Sequence, residues 1–543
     1  MPMLQGLMMD YPLTMTHFLE RARRYHHDVE IVTKRPDGSL HRYTYGEAYR
    51  RVCRLAHALA KLGVEQGDRI GSLAWNHYQH LELYFAVPCY GAVMHTLNLR
   101  LAPDQLTYVI NHAADRIIFV DASLVPLLEA IQPHLTSVQH FVIINAPPDF
   151  TTKLPNVRHY EELLEGEPDT FDFPRLDERA AAGLCYTSGT TGKPKGVLYS
   201  HRSQFIHTIA AGGGDALSLR GTDTVIAVVP MFHANAWALP YLSASLGFKF
   251  VLPGPHLKPE TLAQLIQDEK VTVAAGVPTL WIGMYQAIKA HGFDVSSLRA
   301  LIVGGAAFPK TWIEAYEKEL GIPVVHAWGM TEMSPMGTST GTLSHRTDLS
   351  IDEKIAIKTH QGYAPPGVEM RIVGDDGREM PWDGKSVGEI QVRGPWVVGA
   401  YYNDDSAAAQ FTPDGWFRTG DVATIDPKGL LTITDRTKDL IKSGGEWISS
   451  VALENVIMSH PKVLEAAVIA IPNEKWSERP LALVVPRNPD DRPTPEELHE
   501  LVLAHCAKFW VPDEFRFVES IPKTSVGKFD KKVLRQMYAE GKL

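Results

Sequence analysis

Apolar positions recur at helical spacing from Tyr45 to Gly63, where YGEAYRRVCRLAHALAKLG ends at a glycine, and this pattern predicts an amphipathic helix. Short β-branched or apolar runs follow: RIGSLAW, RIIFVD, HFVIIN, TVIAVVP, KFVLP, VTVAAGVP and ALIVGG. Several are continuous rather than alternating, as expected of strands covered on both faces. Helical patterns separate them, so strand and helix taking turns predict parallel α/β layers. From about Glu369 the pattern changes to EMRIVGDDGREM, GEIQVRG and LLTITDR, which read as hairpin strands with DDG and PKG turns. Beyond Asp435 come VALENVIMSHPKVLEAAVIAIPN, LALVVPR, a helix PEELHELVLAHCAKF and a basic loop IPKTSVGKFDKK, together a small α+β unit. The expected fold class is therefore α/β. A large N-terminal body over 1–435 combines layered α/β subdomains with a β-rich subdomain, and a small mobile α+β domain spans 436–543.

Composition narrows the setting. The 543 residues are several times the roughly 100–200 of one domain. Fifty-three Lys and Arg against 63 Asp and Glu give a net charge of −10, which weighs against a nucleic-acid surface. Cys53, Cys89, Cys185 and Cys506 are scattered without a CxxC pair, so neither a disulfide framework nor structural zinc is expected. The N-terminus reaches Asp10 before any apolar core of a signal peptide has formed, and Arg21, Arg23 and Arg24 come afterwards. No uninterrupted apolar run approaches the roughly 18 residues of a membrane span. A cytoplasmic protein with no integral membrane segment and no nucleic-acid partner is expected.

The stretch with the most chemistry is Tyr186–Gly196, YTSGTTGKPKG. Thr187 opens it, Ser188, Thr190 and Thr191 offer hydroxyls, Gly189, Gly192 and Gly196 let backbone amides approach an anion, and Lys193 and Lys195 add positive charge. Such a loop is built to hold polyphosphate. It is not the GxxxxGK[ST] loop, because Gly189 and Gly192 are too close and Pro194 follows Lys193.

Further stretches stand in order along the chain: VPMFHANAW (Val229–Trp237), GGA (Gly304–Ala306), WGMTE (Trp328–Glu332), GWFRTGD (Gly415–Asp421), DRTKDLIKSGGE (Asp435–Glu446) and PKTSVGK (Pro522–Lys528). With the loop, they make the chain resemble the adenylate-forming superfamily of acyl-CoA synthetases, carrier-loading adenylation domains and beetle luciferases. It looks most similar to bacterial medium- and long-chain fatty acyl-CoA synthetases and to relatives that activate methylthiopropionate. The resemblance implies an AMP-forming acid–CoA ligase using ATP, Mg²⁺ and coenzyme A, and a homodimer.

The resemblance also implies roles. Lys528 matches the adenylation lysine that bridges carboxylate and α-phosphate. Glu332 matches the magnesium ligand, and Thr331 touches phosphate. Trp328, where relatives often have Tyr, is expected against adenine beside Gly329, with Gly304, Gly305 and Ala306 letting the backbone approach the base. Asp421 matches the ribose-binding carboxylate and Arg436 a second nucleotide contact. Lys438 falls at the hinge about which the small domain rotates. That rotation brings Lys442, Gly444, Gly445, Glu446 and Trp447 to the site for thioester formation. His233 and Trp237 lie in a segment read as an apolar helix bordering the acyl tunnel, with Val277, Pro278, Thr279, Gly329 and Met330 completing an apolar pocket. Amino-acid-activating relatives place an Asp where His233 stands, so an amino-acid substrate is not expected. The rival readings are a ligase for 3-(methylthio)propionate or another short acid, a carrier-protein ligase, and a non-catalytic acyl or nucleotide sensor. GTSTG, Gly337–Gly341, fits the GxSxG pattern, but MTEMSPM before it and TLSHRTD after it make Ser339 a loop serine.

Overall fold

The computed structural model describes residues 4, 6–147, 149–187, 193–341, 348–444, 446–524 and 528–543. Ser188, Gly189, Thr190, Thr191, Gly192 and Gly445 lie outside the described residues.

Two mainly parallel sheets form the body. The first runs Val157–His159, His140–Ile144, Asp115–Asp121, Arg69–Leu73, Val93–Thr96, Ala181–Tyr186 and Gly196–Ser200, the last strand antiparallel to its neighbour. The second runs Met336–Ser339, Val324–Gly329, Ala300–Gly304, Val273–Gly276, Thr224–Ala227, Lys249–Leu252, Glu30–Lys34 and Leu40–Thr44, with an antiparallel strand at each edge. All seven runs read from the sequence lie in these sheets as strands, the continuous ones among them. The latter are continuous because both faces are covered: ALIVG of Ala300–Gly304 is buried at every position.

The helix Tyr78–Tyr90 explains how the two sheets share a core. Every residue from Tyr78 to Cys89 is buried, Gln79, His80 and Glu82 included. Ile70 and Phe119 of the first sheet join Val225 and Phe250 of the second in one cluster with it. The helix expected from Tyr45 forms as Tyr45–Lys61, opened by a capping box of Thr44 and Glu47.

A four-stranded antiparallel sheet follows, Glu369–Val373, Gly388–Arg393, Phe417–Ile425 and Leu431–Arg436. The PKG turn joins the last two strands, with Gly429 at φ +86°. The DDG turn does not join the first two directly. It closes only the bridge Val373–Glu379, and the chain runs on to 387 before pairing resumes at Gly388. The C-terminal residues form clusters of their own, one around Ile441, Leu453, Val468 and Val484, another around Ile469, Leu483, Ile521 and Leu534.

Two local readings are corrected. Ser339 is not in a loop: it ends the edge strand Met336–Ser339, is buried, and donates from Oγ to the Ala216 carbonyl at 2.9 Å. The loop reading missed the antiparallel pairing of this strand with Val324–Gly329. The segment around Trp237 is not an ordinary apolar helix. Ala234, Asn235, Ala236, Trp237 and Ala238 all hold positive φ, between 43° and 65°, in a left-handed turn. Left-handed backbone costs an L-residue roughly 1–2 kcal/mol, so packing around the segment imposes this shape against local preference.

Candidate active site

Ligands of open α/β sheets bind beyond the carboxyl ends of the strands. Here Ala300–Gly304 and Val324–Gly329 end at a cavity of about 380 Å³. Its wall includes Thr187, Lys193, Lys195, His233, Trp237, Gly304, Gly305, Trp328, Gly329, Met330, Thr331, Glu332, Arg436, Lys438 and Lys528. Ala306 and Asp421 line an adjoining space of about 270 Å³ that shares Gly305, Trp328, Gly329, Arg436, Lys438 and Lys528 with the first. Gly329 is required by contact, since a β-carbon there would meet the Pro335 carbonyl oxygen at 2.0 Å.

The carboxylates are held rather than loose. The Tyr401 hydroxyl donates to Glu332 Oε1 at 2.6 Å, and Lys195 Nζ lies 4.9 Å from the centre of the same tyrosine ring. Burial raises the Glu332 carboxyl above the ordinary range, and the Tyr401 hydrogen bond pulls it back. Asp421 is gripped from two sides: Trp328 Nε1 donates to Oδ2 at 2.9 Å and Arg436 Nε lies 3.1 Å from Oδ1. A tyrosine ring has no N–H to donate in that way, so Trp328 supplies a contact as well as an aromatic face. Asp421, more than any other group, raises the Arg436 pKa.

The cations differ. Lys528 is half-buried, and burial, with Arg436 adding repulsion, lowers its pKa to about 8. Burial lowers His233 to about 4, with Lys528 and Arg100 contributing, so its ring is neutral at neutral pH. Thr187 and Lys195 pinch the ends of the glycine-rich loop together: the Thr187 amide donates to the Lys195 carbonyl at 2.9 Å, and the Lys195 amide to Thr187 Oγ1 at 3.1 Å. Lys193 Nζ sits 5.1 Å from the Tyr108 ring centre.

Other residues singled out from the sequence stand outside the cavity wall. Val277, Pro278 and Thr279 do not line it. The strand Val273–Gly276 ends just before them, the helix Pro278–His291 carries the chain away, and Val277 packs behind Gly305. His207, Leu217, Ala234, Pro335 and Met336 supply the less polar wall instead. Lys442, Gly444, Glu446 and Trp447 are exposed and outside the cavity, with Lys442 Nζ 5.2 Å from the Trp447 ring centre. Tyr401 and His207 escaped the sequence reading. Neither stands in a stretch with a chemical signature, and only the tertiary fold brings them to the site.

The profile of the AMP-binding enzyme family matches residues 18–402, and that of the AMP-binding enzyme C-terminal domain matches residues 452–528. The chain belongs to the AMP-binding enzyme family. Among its relatives is a long-chain-fatty-acid–CoA ligase of Thermus thermophilus, 48% identical over 535 residues, covering 98% of this chain and 96% of the relative. A 3-methylmercaptopropionyl-CoA ligase of Ruegeria lacuscaerulensis is 46% identical, with 98% and 99% covered. The crystal structure of the anthranilate CoA ligase AuaEII in complex with anthranoyl-AMP superimposes with a TM-score of 0.88 at 24% identity, covering 98% of this chain and 99% of that one, and shows the shared fold. For this AMP-binding family member the large α/β body and small C-terminal unit are thus the family architecture. Among the described residues no helix is long and apolar enough to cross a membrane.

Proposed function

We propose that the chain is an AMP-forming acid–CoA ligase. A carboxylic acid attacks the α-phosphorus of ATP to give an acyl-adenylate and pyrophosphate, and the thiol of coenzyme A then displaces AMP to give the thioester. The observation that carries this reading is a pair of adjoining spaces that share the half-buried Lys528, one lined by the tethered Glu332 and a less polar wall, the other by the tethered Asp421.

Two anions must meet in the first step, and Lys528 supplies positive charge where they do. Lys193 and Lys195 offer charge to the departing phosphates. Asp421, held by Trp328 and Arg436, accepts from the ribose hydroxyls. His233, being neutral, leaves Lys528 as the cation for the acid's carboxylate. A carboxylate tied by Tyr401, beside Thr331 and the substrate's phosphate oxygens, is a hard oxygen donor set that fits Mg²⁺. Magnesium held there supplies charge neutralisation of the phosphates.

The second step is assigned to a rotation of a C-terminal domain, 436–543, about Lys438 against a body of 1–435. Lys528 leaves the cavity and the face carrying Lys442, Gly444, Glu446 and Trp447 enters, so one site serves both reactions. We place the enzyme in the cytoplasm, and the exposed Leu7, Met8 and Met9 support a contact between two copies.

For the acid, a medium- or long-chain fatty acid is the first reading and a short thioether acid the second. Assaying AMP release and thioester formation from 3-(methylthio)propionate and butyrate to palmitate, with and without CoA, separates them. CoA-dependent turnover is expected. Adenylate without thioester points to carrier loading, and no product from any acid leaves only a sensor.

Replacing Trp328 by phenylalanine keeps the ring and removes the donor to Asp421. A hydrogen bond to a charged group is worth about 1.5–3 kcal/mol, so KM for ATP is expected to rise about ten- to a hundredfold with KM for the acid unchanged. An unaltered KM for ATP means that Arg436 alone holds the carboxylate.

A further inference from the structure

The less polar wall of the cavity contains a donor with nothing to bind. His207, on the helix His201–Gly212, forms part of that wall and is buried. Its Nε2 lies 3.2 Å from the Met336 amide and accepts from it. That hydrogen bond fixes the neutral ring as the tautomer carrying hydrogen on Nδ1. Burial lowers its pKa to about 3, so the ring stays neutral through the working range. The Trp396 ring, edge-on with centres 5.9 Å apart, packs against it.

Nδ1 has no hydrogen-bond partner among the described residues. The neighbouring wall residues Leu217, Ala234, Pro335 and Met336 have no side-chain oxygen or nitrogen to offer. One turn earlier on the same helix, Gln204 is fully buried with both amide atoms unpaired, and Asn235 Nδ2 of the left-handed turn is unpaired too. Buried polar groups are normally paired with protein, water or ligand. Of these, His207 Nδ1 belongs to a residue of the cavity wall itself, where a bound molecule can supply the missing partner.

We propose that His207 is a specificity-determining residue, donating from Nδ1 to an acceptor atom in the chain of the acid. The site then favours acids with a thioether sulfur or an ether or keto oxygen over hydrocarbons of the same length. This rests on the ligase reading and deepens it: the plain hydrocarbon fills the same space but leaves the donor unpaired.

The test compares isosteres. The kcat/KM values of 3-(methylthio)propionate and 3-methoxypropionate are divided by that of pentanoate, and those of the 4-, 5- and 6-thia analogues of octanoate by that of octanoate. At least one ratio is expected near ten, about 1.4 kcal/mol, and His207→Phe is expected to bring it close to one. Phenylalanine also gives up the hydrogen bond from the Met336 amide, but that affects both members of each pair equally and cancels in the ratio. His207→Gln, which restores a donor, is expected to recover part of the preference, and a merely structural role would not move the ratios in this way. Ratios near one in the unaltered enzyme, or ratios that survive His207→Phe, overturn the inference and leave the ligase reading standing. Failure to form adenylate from any of these acids or from the longer fatty acids overturns both.

Discussion

Lys528→Ala is expected to lower the rate of adenylate formation by about 10²–10³, the range found when one transition-state donor is removed from a preorganised site. The lysine stands in a cavity with Arg436, Glu332 and Asp421 close enough to influence its charge. Without its ammonium, the acid's carboxylate must approach phosphate with less compensation for the repulsion. The loss should be confined to the first half-reaction. Given preformed acyl-adenylate, the thiol meets an already activated anhydride, and thioester formation should proceed at a rate close to the unaltered enzyme's. A parallel loss in both steps would mean that Lys528 serves the closed site generally rather than adenylation. Its pKa of about 8 adds a pH signature. The active form is protonated, so adenylation in the free enzyme's profile, kcat/KM, should decline as pH rises through about 8. Bound ATP, being anionic, should move that limb upward in kcat. Lys528→Arg stays charged throughout, and whatever activity it keeps should lose the alkaline decline.

Glu332→Gln is the second large effect. The amide keeps the shape and can still accept from Tyr401, so the packing at 2.6 Å should survive. The negative charge does not survive, and a hard cation loses its protein carboxylate. Adenylation is expected to fall by about 10²–10³, and the Mg²⁺ concentration giving half-maximal rate should rise. Paramagnetic resonance of Mn²⁺ with ATP supplies a readout independent of turnover: the variant should hold less bound manganese at equal total metal. Unchanged manganese binding would remove Glu332 from the metal's coordination.

The parts of this fold that are readable from sequence are those set by local pattern. Continuous runs such as ALIVG announce strands buried on both faces, and the apolar spacing from Tyr45 to Gly63 announces a helix. The ordered motifs point to the family and draw attention to Lys528 and Glu332. What escapes depends on distance in the chain. Trp328 and Asp421 are 93 residues apart, Glu332 and Tyr401 69, and His207 and Met336 129. No local pattern records such partners. Val277, Pro278 and Thr279 follow a strand end, which suggests a place in the pocket, but a helix begins there and turns the chain aside. The face around Lys442 lies outside the cavity, and no local pattern records its distance from it.

The left-handed turn at Ala234–Ala238 makes one wall of the cavity depend on residues far from it in the chain. Alanine and tryptophan prefer the right-handed region, so the segment left to itself would not keep this shape. What imposes the shape comes from elsewhere: Cys185 of the first sheet reaches Asn235 Oδ1 at 3.5 Å, and a β-carbon at Gly304 of the second would come within 3.1 Å of the Trp237 ring. The turn thus leans on both sheets at once, and a substitution that loosened either one here would reach the cavity wall that carries Ala234 and Trp237.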